Sequence, residues 1–143
     1  MKNILIPVDG SEYSLKAVEA GKKIAKAFDS KVFILSVVTP ELRFSSGRGS
    51  NVYAPLLMDE LVELSEKTLE EAKKQFQGMP NQVETFTEQG YTADEIVRFA
   101  KENKIDLVIM GSHGLGALRN RLMTGSVTTR VLHHIDIPVL VIK

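Results

Sequence analysis

Two wholly apolar runs, Ile4-Leu5-Ile6-Pro7-Val8 and Leu107-Val108-Ile109-Met110, constrain this 143-residue chain more than any other feature. A strand with one wet face alternates apolar and polar residues, whereas a continuous apolar run this short reads as a strand buried on both faces. Such a strand needs helices above and below it. The intervening segments supply them: after the break at Asp9-Gly10-Ser11, apolar or small residues recur at Ala17, Val18, Gly21, Ile24, Ala25 and Phe28, a helical spacing. A second β-rich run, within Lys31 to Val38, closes at Thr39-Pro40.

Periodicity is lost from Glu41 to Pro55, a span expected to be a flexible loop, and it is long enough to suggest a functional connection. Helical spacing returns at Leu57, Met58, Leu61, Leu64, Thr68, Ala72 and Phe76 and stops at Gly78-Met79-Pro80. Val83 to Thr87 alternates as a strand near a sheet edge does. Thr92-Ala93-Asp94-Glu95 has the spacing of a capping box before a short helix through Phe99 and Ala100. Asp106 to Met110 is a buried strand, Ser126 is placed to cap a last helix through about Ile135, and Pro138 to Ile142 is a final strand. Strict β-α alternation with apolar strands implies a mostly parallel sheet with helices on both faces. In such sheets ligands bind beyond the carboxyl ends of strands, where the winding reverses.

The whole chain, 1–143, is expected to form one domain, long enough to bury a core without disulfides or a structural metal. No Cys is present, which removes thiolate metal sites and thiol catalysis. The 18 Lys and Arg balance 18 Asp and Glu, so the total charge argues against a nucleic-acid or membrane-surface binder. The apolar run before Pro7 and Asp9 is too short for a signal-peptide core, and no run approaches a membrane span; the expected compartment is the cytoplasm.

Two loops after strands carry candidate chemistry. Asp9, at the end of the first strand, offers a carboxylate to a ribose hydroxyl or an adenine amino group; the alternative is that Asp9 or Ser11 caps the first helix. Gly111-Ser112-His113-Gly114-Leu115-Gly116, followed by Gly125-Ser126-Val127-Thr128, places glycines after a buried strand and amides at a helix start, where an anion is held. The alternative there is a tight turn and an ordinary cap. From Leu107 through Ile135, 29 residues contain no Asp or Glu but include Arg119, Arg121, Arg130 and all three histidines. That local field suits a polyphosphate, and equally a solvated basic face.

Other signatures fail. A phosphate-binding loop of the Gly-Lys-Ser/Thr kind is excluded because no Lys lies between Lys104 and Lys143. The glycine order G-x-x-G-x-G after a late strand is not the dinucleotide fingerprint. Ser112 and His113 lack the Gly-x-Ser-x-Gly elbow, and His133 and His134 point apart on a helix, so neither catalytic residues nor metal ligands are expected.

Taken together, Ile4 to Ser11, Gly90 before Glu95-Ile96-Val97, Asp106 to Gly116, Gly125-Ser126-Val127 and Ile137 to Val141 resemble the universal stress protein family, of the UspA-like, ATP-binding kind, over essentially the whole chain. The resemblance implies a five-stranded parallel α/β sheet of order 3-2-1-4-5 with helices on both faces, Rossmann-like and similar to the adenine nucleotide alpha hydrolases. It implies that Asp9 and Gly111 face one cleft. Binders in the family resemble G-x2-G-x9-G-S/T; here Gly111-x2-Gly114 and Gly125-Ser126 match, but ten residues separate Gly114 from Gly125. By similarity, Pro7, Val8 and Asp9 would hold adenine and ribose, and Val37 would offer backbone to the adenine edge. Met110, Gly111, His113 and Gly114 would line the ribose and first phosphates, and Gly125, Ser126, Val127 (through its amide) and Thr128 the outer ones.

On this order Pro138 to Ile142 is an apolar edge strand, an aggregation hazard unless covered. Members of the family dimerise through that strand, and a homodimer is expected. The implied function is a homodimeric, ATP-binding regulator of the stress response, with Mg or Mn bridging the phosphates and little or no hydrolysis, since no Walker lysine or water-activating base adjoins the loop. A dimeric scaffold of the same fold that binds no nucleotide is the alternative. An adenylyl transferase would need a second catalytic constellation that is absent.

Overall fold

Along the first strand, β1 (Asn3–Pro7), Ile4 and Ile6 face one side of the sheet and Leu5 the other, and all three are fully buried. The computed structural model describes residues 1–39, 54–113 and 125–143. The same division recurs in β2 (Lys31–Val38), with Val32 and Ile34 opposite Phe33 and Leu35, and in β4 (Leu107–Gly111), with Leu107 and Ile109 opposite Val108 and Met110. None of these strands has a wet face. That is why their sequences read as unbroken apolar runs.

Helices α1 (Glu12–Phe28) and α2 (Ala54–Lys74) cover one face through Ala17, Val18, Ala25, Leu69 and Ala72. Helices α3 (Thr92–Glu102) and α4 (Ser126–His134) cover the other through Ala93, Ile96, Phe99, Ala100 and Val131. With β3 (Val83–Gln89) and β5 (Val139–Ile142) the sheet is parallel throughout, in the order β3-β2-β1-β4-β5, with Leu5 level with both Phe33 and Val108. The fold expected from the sequence is therefore the fold observed. Phe33, Phe86 and Phe99 meet with ring centroids 4.9 to 6.2 Å apart and pin α3 to the β2–β3 side.

Side-chain hydrogen bonds close the ends of the elements. Ser11 Oγ accepts from Ser14 N at 3.2 Å as the N-cap of α1. Asn81 Nδ2 donates to the carbonyls of Ala25 and Ser30, both at 2.9 Å, and so ties the entry to β3 to the end of α1 and the entry to β2. Asp106 accepts the Lys2 and Asn3 amides, each at 2.8 Å. These bonds hold its carboxyl below the usual carboxylate range, the Asn3 bond contributing most.

Local expectations fail at four places. The capping box does not form: Tyr91 is the N-cap of α3 without a side-chain bond, Thr92 Oγ1 pairs with Thr39 Oγ1 at 3.1 Å, and Glu95 engages Arg98. Ser126 does not cap α4, because Gly125 holds that position. Phe28 has helical spacing but lies 58% exposed at the last position of α1, and Leu64 is 54% exposed although it follows the apolar stripe of α2. The expected loop 41–55 lies outside the described residues except for Ala54 and Pro55, which open α2.

Candidate functional site

Because β1 sits between β2 and β4, the chain leaving β1 turns toward one side of the sheet and the chain leaving β4 toward the other. Their carboxyl ends part, and a cleft opens between them. Its volume is about 670 Å³, within the range of small-molecule sites.

Pro7, Val8 and Asp9 enter this cleft from the end of β1, and Val37 from β2. Met110, Gly111 and His113 enter from the end of β4, and Gly125, Ser126, Val127 and Thr128 from the start of α4. Gly114, Arg119 and Arg121 lie outside the described residues. Residues separated by more than a hundred positions thus line one space because the sheet order makes β1 and β4 neighbours.

The turn after β1 is built locally. Asp9 Oδ1 accepts the Ser11 amide at 2.9 Å, and Gly10 between them has φ +82°, a conformation that side chains disfavour. Ser11 is the helix cap, and Asp9 shapes the turn while remaining exposed in the cleft wall.

Gly111 is demanded by packing. A Cβ there would stand 2.7 Å from Tyr13 Cβ and 2.8 Å from the Tyr13 carbonyl carbon. The glycine read as an anion-approach position thus also lets α1 lie against β4. Thr128, 2% exposed, donates its hydroxyl to the Gly111 carbonyl at 2.9 Å, and the Gly125 amide donates to the Ser112 carbonyl at 2.6 Å. These bonds fasten the start of α4 to the end of β4. With Gly125 supplying no side-chain cap, the first-turn amides of α4 and the positive end of its dipole stand at the cleft.

Of the basic groups in the acid-free stretch, Arg130 pairs with Asp94 at 3.2 Å on the exposed surface, and His133 and His134 are exposed at the end of α4. Among the described residues no group of three or more His, Cys, Asp or Glu is placed to hold a metal ion, and no helix is long and apolar enough to cross a membrane.

Sequence reasoning missed a whole wall. Leu61, Leu64, Ser65 and Thr68 of α2 line the cleft, with Thr39, Thr92 and Ile96 beside them. The available signal was the pair of hydroxyl residues on the otherwise apolar side of α2; Ser65 Oγ lies 3.4 Å from Thr87 Oγ1.

The universal stress protein family model matches residues 1–143. The chain belongs to this family. This universal stress protein is 35% identical over 144 aligned residues to universal stress protein MJ0531 of Methanocaldococcus jannaschii, covering 99% of this chain and 82% of that protein. The solved structure of MJ0577 from the same archaeon superposes with a TM-score of 0.86 at 30% identity, covering 99% of this chain and 95% of the other. A universal stress protein solved in complex with cAMP superposes with a TM-score of 0.70 at 27% identity, covering 99% and 95%.

Proposed function

We propose that this universal stress protein is an adenine-nucleotide-binding regulator of the stress response, with ATP as its ligand, acting as a homodimer with little or no hydrolysis. One observation carries the reading: a carboxylate from β1, Asp9, and the uncapped first turn of α4 line the same cleft. The first suits ribose or adenine, and the second suits phosphate. The cAMP complex of a 27% identical relative supports the same ligand class.

Pro7, Val8, Asp9 and Val37 hold the nucleoside; Met110, Gly111, His113 and Gly114 hold the ribose and first phosphates, and Gly125 to Thr128 the outer ones. Thr128 acts there through its amide, since its hydroxyl is given to Gly111. A Mg or Mn ion would arrive on the phosphates, Asp9 being the carboxylate at hand. Dimerisation through β5 covers the sheet edge on which Leu140 is exposed.

Calorimetric titration with ATP, AMP and cAMP tests the reading. Saturable heat and a raised Tm are expected; no heat and no thermal shift at millimolar nucleotide would overturn it. A nucleotide-free dimeric scaffold is the second reading, favoured by two features: the ten residues between Gly114 and Gly125, and the packing reason for Gly111.

A further inference from the structure

Ser112 is 1% exposed, and every polar atom it owns is engaged around the cleft. Its amide donates to the Ile142 carbonyl at 2.8 Å, and its carbonyl accepts the Gly125 amide at 2.6 Å. Its Oγ lies 2.8 Å from His113 Nδ1. The main chain of Ser112 is therefore held from both sides, and its hydroxyl reaches the ring from a fixed place.

The same ring meets Tyr13, with centroids 5.0 Å apart and planes inclined by 47°. The Tyr13 backbone is packed closely against Gly111, and Lys16 Nζ stands 5.4 Å from the Tyr13 ring centroid. A histidine on a loop ordinarily samples several rotamers, and ordering it on binding costs affinity. Here the cost is met in the fold. A buried hydroxyl gives its proton to an acceptor, and Nδ1 is an acceptor in the tautomer that carries the ring proton on Nε2.

We infer that Ser112 is a positioning residue that fixes the orientation and the Nε2–H tautomer of His113 in the cleft wall, and so sets the strength with which the cleft holds an adenine nucleotide. The inference rests on the nucleotide reading above for its ligand. The Ser112–His113 contact itself belongs to the protein without nucleotide.

The test combines ring spectroscopy with a double-mutant cycle on the full chain. Imidazole ¹⁵N shifts of the nucleotide-free wild type are expected to show His113 as a single Nε2–H tautomer. Ser112→Ala is expected to give averaged tautomers with an unchanged fold, and Ser112→Thr is expected to restore the wild-type pattern. For AMP, Ser112→Ala should weaken Kd by roughly two- to tenfold, the range of one hydrogen bond. It should have no further effect in a His113→Ala background, because its influence passes through that ring. Unchanged His113 shifts in Ser112→Ala, or equal losses in both backgrounds, overturn the inference. A wild type that binds none of ATP, AMP and cAMP overturns its ligand half and the nucleotide reading together, while the shifts still decide whether Ser112 holds the ring.

Discussion

Gly111 and Tyr13 touch so closely that the space for a side chain at position 111 is filled by the backbone of α1, with the Tyr13 carbonyl carbon 2.8 Å from where a Cβ would stand. Backbone cannot swing aside as a side-chain tip does. Gly111→Ala must therefore push α1 from β4, and overpacking of this kind costs about 1–3 kcal/mol. The lowered Tm is expected in the protein without nucleotide, measured by thermal unfolding. A wild-type Tm would show that the two elements separate without strain.

Asn81 closes two carbonyls at once, those of Ala25 and Ser30. Asn81→Ala removes both bonds at a partly buried site, while the Ala25 carbonyl keeps the Asp29 and Ser30 amides, for a loss of about 0.5–1.5 kcal/mol. Denaturant titration should show a lower midpoint with an unchanged slope, since the surface exposed on unfolding is the same.

Asp106 links the N-terminus to β4 through two amides, and its carboxyl is held below the usual range. A depressed folded-state pKa gives stability that is present above the unfolded value of about 3.9 and is lost as pH falls through the folded one. Unfolding midpoints of wild type and Asp106→Asn are thus expected to differ near neutrality and to converge in acid, once the pH has fallen through the lowered folded-state pKa. The carboxylate is largely exposed, so the difference should stay under about 1 kcal/mol. A gap that persists in acid would assign the effect to something other than ionisation.

Leu140 is 37% exposed on β5, the last strand of the sheet. If β5 pairs with a second copy, Leu140→Glu sets like charges near the two-fold axis and should halve the mass seen by light scattering. A wild type that is already monomeric at micromolar concentration removes the dimer from the proposed function.

Strand identity was legible because burial on both faces leaves no choice of residue: Leu5 and Ile6 point to opposite sides, yet both must be apolar; the strand order came with the family resemblance, not from the apolar pattern. The β1 and β4 halves of the cleft were legible for the same reason, being the loops that follow such strands. The α2 wall was not. Periodicity shows which side of a helix is apolar, but it does not show where that side runs past the edge of the sheet and stays open, as at Leu64. The Thr92 cap was misread because the hydroxyl's partner is distant in sequence. Thr92 has capping chemistry, but Thr39, brought alongside by β2, takes its hydroxyl.

The bonds from Gly125 to Ser112 and from Thr128 to Gly111 join the two ends of the segment 113–124 like the clasp of a ring. Both bonds run between the end of β4 and the start of α4, so the spacing of these two walls of the cleft is written into two short contacts and not into the chain that connects them.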